Sequence, residues 1–231
     1  RMTLERRAMM DSLLAWGGLR DPAFGTVWGG VVRNGGRVQL EFGAGDTNFY
    51  IAGGYYSISG EGVAENSRIE AGAGFQTALW RSASEEILTG LDLVYLAYDK
   101  NLRYFTLGQG GYYSPQSYFA ANVPLDYRGR SGNLSYRVGG TIGFAIFTED
   151  PSPVFPNDSQ LQSQLVATSL TQSGITTFYA GQDKTQLTGG LRGDLEYAVT
   201  PAFRIGGALR LDQAADWNEY RALLYARYRF E

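Results

Sequence analysis

Apolar and polar residues alternate with period two along most of this chain. In the last segment, YRALLYARYRF, Tyr220, Ala222, Leu224, Ala226, Tyr228 and Phe230 fall on one face. Arg221, Leu223, Tyr225, Arg227 and Arg229 fall on the other. Upstream, Phe203, Ile205, Gly207, Leu209 and Leu211 oppose Arg204, Gly206, Ala208, Arg210 and Asp212. Leu187, Leu191, Leu195, Tyr197 and Val199 oppose Gln186, Thr188, Arg192, Asp194 and Glu196, and residues 134–147 repeat the scheme. Successive side chains of a strand point to opposite faces, so this pattern predicts β-strands nearly throughout.

The predicted strands are long, roughly ten to fourteen residues against about five or six in soluble domains. Their links alternate in length. Short links are predicted at 43–47, 81–85, 129–132 and 199–201, and longer ones at 20–35, 59–67, 99–116, 149–183 and 213–218. Long strands with short turns at one end and long loops at the other are the pattern of outer-membrane barrels, whose apolar face points outward to lipid. The fold class expected is all-β: an antiparallel transmembrane β-barrel of about ten strands, the first near residues 11–18. The chain opens on Arg1 with no leader, and it is expected to be a segment of something longer.

Composition narrows the chemistry. Cysteine and histidine are both absent, which excludes a Ser-His-Asp triad, a cysteine nucleophile and an ordinary zinc site. No cofactor or metal is expected. A net charge of −3 gives no nucleic-acid footprint. No run approaches the eighteen or so apolar residues of a spanning helix. Glycine (31) and tyrosine (16) are abundant.

Two segments interrupt the strands. LRYFTLGQGGYYSPQSYFA, residues 102–120, is too long for a tight turn and too aromatic for a plain linker. It lacks the spaced glycines, the lysine and the following helix of a phosphate cradle. It reads equally as a loop offering Tyr104, Gln109, Tyr112, Tyr113, Gln116 and Tyr118 to a sugar, or as a turn whose aromatics pack on the barrel rim. The second segment, 149–183, carries Pro151, Pro153 and Pro156, which oppose regular pairing. Asp158 or Ser159 is placed to cap a short helix bearing Leu161 and Leu165. The segment is expected to be an exposed loop or a lid.

YDKNLRYFTLGQGGYYSPQSYFAANVPLDYRGR, residues 98–130, resembles the C-terminal barrel of the bacterial cellulose synthase operon protein C family. GGLRDPAFGTVWGGVVRNGGRVQLEF (17–42) and LLYARYRF (223–230) are similar to the same family. The resemblance implies an outer-membrane subunit that exports cellulose, built from periplasmic helical repeats and a barrel of about sixteen strands. Residues 1–231 would be its C-terminal barrel region, with the repeats upstream and either the missing strands upstream too or a barrel that closes with ten. The implied partners are the glucan chain, outer-membrane lipid and lipopolysaccharide, the helical-repeat region of the same protein and the inner-membrane cellulose synthase complex.

The alternation assigns Glu70, Gln76, Asp92, Arg137, Arg192, Asp194, Glu196, Arg204, Arg210 and Arg221 to the lumen, where they would line a glucan path or pair to stiffen the wall. Trp80 and Trp217 are placed as girdle residues near strand ends. Asp194 and Glu196 share a face, the minimum for glycosidase chemistry, but such pairs are common in barrel lumens. A general porin, an exporter of another glycan and a soluble sugar-binding sandwich are the alternatives.

Overall fold

The computed structural model describes the backbone of residues 2–8, 19–20, 27–214 and 217–230, and the side chains of 27–213 and 218–230. The strands are β1 (Met2–Ala8), β2 (Leu19–Arg20), β3 (Val27–Ala44), β4 (Thr47–Glu61), β5 (Val63–Arg81), β6 (Glu85–Tyr98), β7 (Ser117–Ser131), β8 (Leu134–Glu149), β9 (Ser152–Pro153), β10 (Phe178–Tyr179), β11 (Gln182–Ala198), β12 (Phe203–Ala214) and β13 (Trp217–Tyr228). One helix, α1 (Ser159–Ser169), lies between β9 and β10.

The sheet is an up-and-down antiparallel path, β1-β3-β4-β5-β6-β7-β8-β11-β12-β13, with β2 beside β3. Among the described residues β1 and β13 end this path. The ten strands of the path match the expected number. The strand expected at 11–18 lies outside the described residues, and β1 at 2–8 takes the first place, pairing Met2 with Val38.

Register separates two faces that run through the whole sheet. Val38, Leu40, Ile51, Ile69, Leu125, Val138, Ile142, Leu187, Leu191, Leu195 and Leu209 share one face and are each at least 50% exposed. Monomeric soluble proteins rarely expose more than a few hundred Å² of contiguous apolar surface, and this band crosses most of the sheet. The polar positions share the opposite face. There, side chains bridge strands two apart: Tyr50 on β4 reaches Asp92 on β6, and Arg192 on β11 reaches Asp126 on β7. Such reach requires the sheet to curve toward its polar side, so that face is concave.

Several glycines on the concave face make room for these bridges. A Cβ at Gly139 would lie 2.1 Å from Asp126 Oδ1, beneath the Arg–Asp pairs. A Cβ at Gly206 would lie 2.5 Å from Tyr225 Cζ, beneath its contact with Glu196. The high glycine content therefore serves a curved wall as well as turns.

Three predicted links are corrected. Residues 27–44 form one 18-residue strand, so the link expected at 20–35 ends by residue 26. Gly35, the last residue of that expected link, sits mid-strand with its α-carbon covered by Tyr56; a Cβ there would approach Tyr56 Cα to 2.7 Å. The link expected at 59–67 shrinks to Gly62, at φ +63°. Its flanks stay in the sheet because Val63, Ala64 and Asn66 are buried beneath another segment. The link at 213–218 narrows to residues 215–216, which lie outside the described residues. Two long links remain, 99–116 and 150–181, at the same end of the sheet.

Candidate functional site

All ten residues assigned to the lumen lie on the concave face. They are not spread as independent charges. Arg137 and Arg192 both donate to Asp126, which is fully buried; Arg137 Nε and Nη2 lie 3.1 Å from its two oxygens and Arg192 Nε lies 2.8 Å away. Glu70 accepts from Arg68 at 2.5 Å, with Arg37 at 3.8 Å. Glu196 binds Arg204 at 2.9 Å and accepts from Tyr225 at 3.2 Å. Asp92 accepts from Tyr50 at 3.2 Å. Gln76 lies beside them, paired in register with Asn48 and Gly90. Asp194 lies opposite Arg137 and Ala208.

Arg192, Arg210 and Arg221 stand directly opposite one another on β11, β12 and β13. Like charges so placed destabilise a sheet, by up to about 1 kcal/mol per pair. Each has a carboxylate partner that offsets this: Asp126 for Arg192, Asp212 for Arg210 at 2.5 Å, and Glu219 for Arg221. The wall is thus a lattice of paired charges. Its exposed surface is hydrogen-bonding but close to neutral.

Asp126 was not among the residues singled out by the alternation, although the signal is present. Asn122, Pro124, Asp126 and Arg128 occupy every second position of β7. Pro124, flanked by Val123 and Leu125, hides the polar face in a linear reading.

Between β5 and β13 the concave face holds a groove of about 650 Å³. Gln76, Asp92, Tyr118, Asn122, Thr188, Arg192 and Arg210 line it. Toward β3–β6, by contrast, the loop end is filled. Loop 99–116 turns inward, and its Leu102 and Tyr112 pack with Trp28, Val31, Ile58, Val63, Ala64 and Tyr98 into one buried cluster. Tyr112 lies 5.9 Å from Tyr98, centroid to centroid, and its hydroxyl accepts from Asn66 Nδ2 at 3.0 Å. Burial pushes this hydroxyl well above the ordinary tyrosine value of 10.0.

The second long loop sits on the first. Gln109, fully buried, donates to Ser152 Oγ at 2.9 Å and to the Pro153 carbonyl at 2.8 Å. Arg103 and Gln182 both bind the buried Glu149. Tyr104 stacks on Tyr179 at 3.7 Å, and burial raises its hydroxyl pKa, partly offset by Arg103. Gln116 accepts from the Asp150 amide at 2.7 Å. Pro153 does not prevent pairing, contrary to expectation: Ser152–Pro153 pairs with Phe178–Tyr179, a two-residue contact short enough to omit a proline donor. Asp158 caps α1 as expected, accepting from Gln160 and Leu161 amides, and α1 buries no residue.

The six loop residues therefore separate. Tyr112 and Gln109 are internal, so neither offers a free surface. Tyr104 and Gln116 bridge the two loops. Tyr113, 42% exposed, sits edge-on to Phe147 and Tyr118. Tyr118 is corrected from loop to strand: it is the second residue of β7, on the concave face. Trp80 lies on the convex face at the turn end, paired in register with Ile87 and 46% exposed. The side chain of Trp217 lies outside the described residues.

Comparison with known proteins identifies a family. Residues 1–231 match the family model described as Cellulose synthase operon protein C C-terminus. The chain is 36% identical over 261 residues to Cellulose synthase operon protein C of Komagataeibacter sucrofermentans, covering 99% of this chain and 20% of that protein. It is 33% identical to the Salmonella typhimurium protein of the same name, covering 98% and 19%, and 31% identical to that of Xanthomonas axonopodis pv. citri, covering 96% and 15%. The chain thus spans about a fifth of the length of the curated relatives it matches. With the matched region extending over the whole chain, it belongs to the cellulose synthase operon protein C family, as part of the family's C-terminal region.

Proposed function

We propose that this chain forms part of the wall of a bacterial outer-membrane pore through which a β-1,4-glucan leaves the cell. The observation that carries the reading is the inverted wall, with an exposed apolar face on the convex side and a paired-charge face on the concave side. A lipid-facing barrel has this arrangement, whereas a soluble sandwich would bury the apolar face. Membership of a family named for the cellulose synthase operon makes the glucan the preferred cargo. The cargo is neutral and rich in hydroxyls, and passage requires contacts favourable enough for entry but weak enough for release. Paired Arg–carboxylate groups fit that need, since their charges are already satisfied and their remaining lone pairs and N–H groups can exchange hydrogen bonds with hydroxyls.

In this reading the chain performs no chemistry. Glu196 is committed to Arg204 and Tyr225, which disfavours a glycosidase role for it with Asp194. The outer membrane would hold the barrel among lipid and lipopolysaccharide. Helical repeats of the same protein would meet it in the periplasm and lead back to the inner-membrane synthase complex. A test is to complement a cellulose-producing host lacking its exporter with the full-length parent gene. Restored surface cellulose, scored by dye binding and cellulase sensitivity, is the expected result. Correct assembly without surface cellulose would transfer the reading to a general porin or an exporter of another glycan.

A further inference from the structure

The two halves of the concave face at the loop end are not equivalent, and this locates a subsite. On β3–β6 the loop-derived Leu102 and Tyr112 fill the loop end against Trp28, Ile58 and Tyr98. Toward β7–β13 the groove, which also takes in Gln76 and Asp92 beyond the filled end, stays open. Tyr118 stands on the border: its register partners are Leu96, which packs against the filled cluster, and Phe147 on β8. Tyr113 from the loop meets the Tyr118 ring at 88°, centroids 6.5 Å apart, and so fixes its orientation. Tyr118 is the aromatic ring among the described residues that line the groove.

Farther along the same face a row of polar groups crosses the strands. Asp92 on β6 is directly opposite Asn122 on β7, and Thr188 on β11 donates to Asn122 Oδ1 at 2.9 Å across Gly143. A Cβ at Gly143 would lie 2.4 Å from that oxygen, so the contact exists because residue 143 is glycine. The bond occupies the amide oxygen of Asn122 and leaves its Nδ2 as a donor toward the groove. Tyr50 occupies Asp92 Oδ1, and Oδ2 remains an acceptor. Asn122 lies four residue steps along the strand from Tyr118, about 13 Å at the usual rise, which is room for more than one hexose ring of an extended chain.

An apolar ring face followed by a donor and an acceptor at this spacing suits successive pyranoses of an extended chain, one packing its C–H face on the aromatic ring while the hydroxyls of its neighbour hydrogen-bond. We propose that Tyr118, Asp92, Asn122 and Thr188 form a glucosyl-binding subsite beside the loop 99–116, and that this loop is a fixed wedge which steers the polymer along β7–β13. The inference rests on the export reading and refines it: Tyr118 touches the sugar, and Tyr112, although richer in contacts, does not.

The test is equilibrium binding of cellohexaose to the detergent-solubilised full-length protein, followed by thermophoresis and saturation-transfer NMR. Heat-modifiable migration serves as the control for assembly. Tyr118→Ala is expected to weaken binding about two- to tenfold, the scale of one ring contact. Asn122→Ala is expected to weaken it as well. Tyr118→Phe keeps the ring and should keep the affinity, as should Tyr112→Phe. Parent-like binding by an assembled Tyr118→Ala protein would overturn the subsite, as would a wild type that assembles and does not bind. Secretion in the complementation assay is read separately. A wild type that restores surface cellulose without binding cellohexaose sinks the subsite alone, whereas one that restores none sinks the export reading itself.

Discussion

The filled and open halves of the concave face use similar residue types for different ends. Near β3–β6, tyrosine is a packing residue: Tyr56, Tyr98 and Tyr112 are buried, and Arg33 lies 4.5 Å over the Tyr56 ring. Near β7–β13, arginine and carboxylate line an open groove, and a single tyrosine stands at its edge. The difference comes from the loop. Where 99–116 folds inward, aromatic rings lose water and the wall becomes a small hydrophobic core. Where it does not reach, charges pair along an open groove. Residue type alone therefore does not separate substrate contact from packing in this wall.

The largest expected effect breaks the open half. Asp126→Asn removes the buried partner of two arginines, and breaking such a network costs about 3–5 kcal/mol. Urea or heat unfolding of the assembled barrel should shift accordingly, while Glu196→Gln, in a more exposed cluster, should shift it much less. If Asp126→Asn unfolds like the parent, the paired-charge account of this half is wrong.

Next in size is the filled half. Tyr112→Ala empties part of the buried cluster, with a cost of about 3–5 kcal/mol if the cavity does not collapse. The expected outcome is a protease-sensitive 99–116 loop and a larger single-channel conductance, with the strands intact. A loop that stays protected would mean that the wedge is held elsewhere. Tyr112→Phe sharpens the same comparison: it loses only the Asn66 hydrogen bond, worth about 1 kcal/mol, and should change conductance little.

The filled half should also be the one that responds to alkali. The folded state raises the Tyr112 pKa above the ordinary 10.0, so folding favours the neutral phenol. That stabilisation is complete below pH 10 and is lost as pH rises from there toward the folded-state value. Limited proteolysis of the loop should therefore increase above pH 10 in the parent and lose this dependence in Tyr112→Phe. The smallest effect is expected for removal of α1, which buries no residue. Deleting 160–175 should leave thermal stability of the barrel unchanged, and a marked loss would show that the helix holds the cap.

Much of the wall was legible in the sequence because alternation is a local signal. The period-two pattern placed Arg137, Arg192, Arg204, Arg210 and Arg221 on one face without any three-dimensional information. What failed was the length of two links. Those expected at 20–35 and 59–67 are glycine-rich, but the structure keeps Gly35 mid-strand against Tyr56 and narrows the second link to Gly62. For Gly35 that use depends on a residue of the neighbouring strand, which local turn chemistry does not reveal. The inward fold of 99–116 was equally hidden, because its anchor joins Asn66 to Tyr112 across 46 positions. Tyr118 was placed in the loop for a related reason: the aromatic run from Tyr112 to Phe119 gives no mark where the loop ends and the strand begins.

The central claim is that the apolar face meets lipid and the polar face encloses a lumen. The most direct measurement uses the absence of cysteine from this chain. Single cysteines placed at Leu187, Leu191 and Leu209, and at Thr188, Arg210 and Arg221, would carry nitroxide labels in the full-length protein in bilayers. Oxygen should relax the first set and a water-soluble nickel complex the second, alternating residue by residue along β11. Labels at Leu187, Leu191 and Leu209 that answer to nickel and not to oxygen would contradict the account.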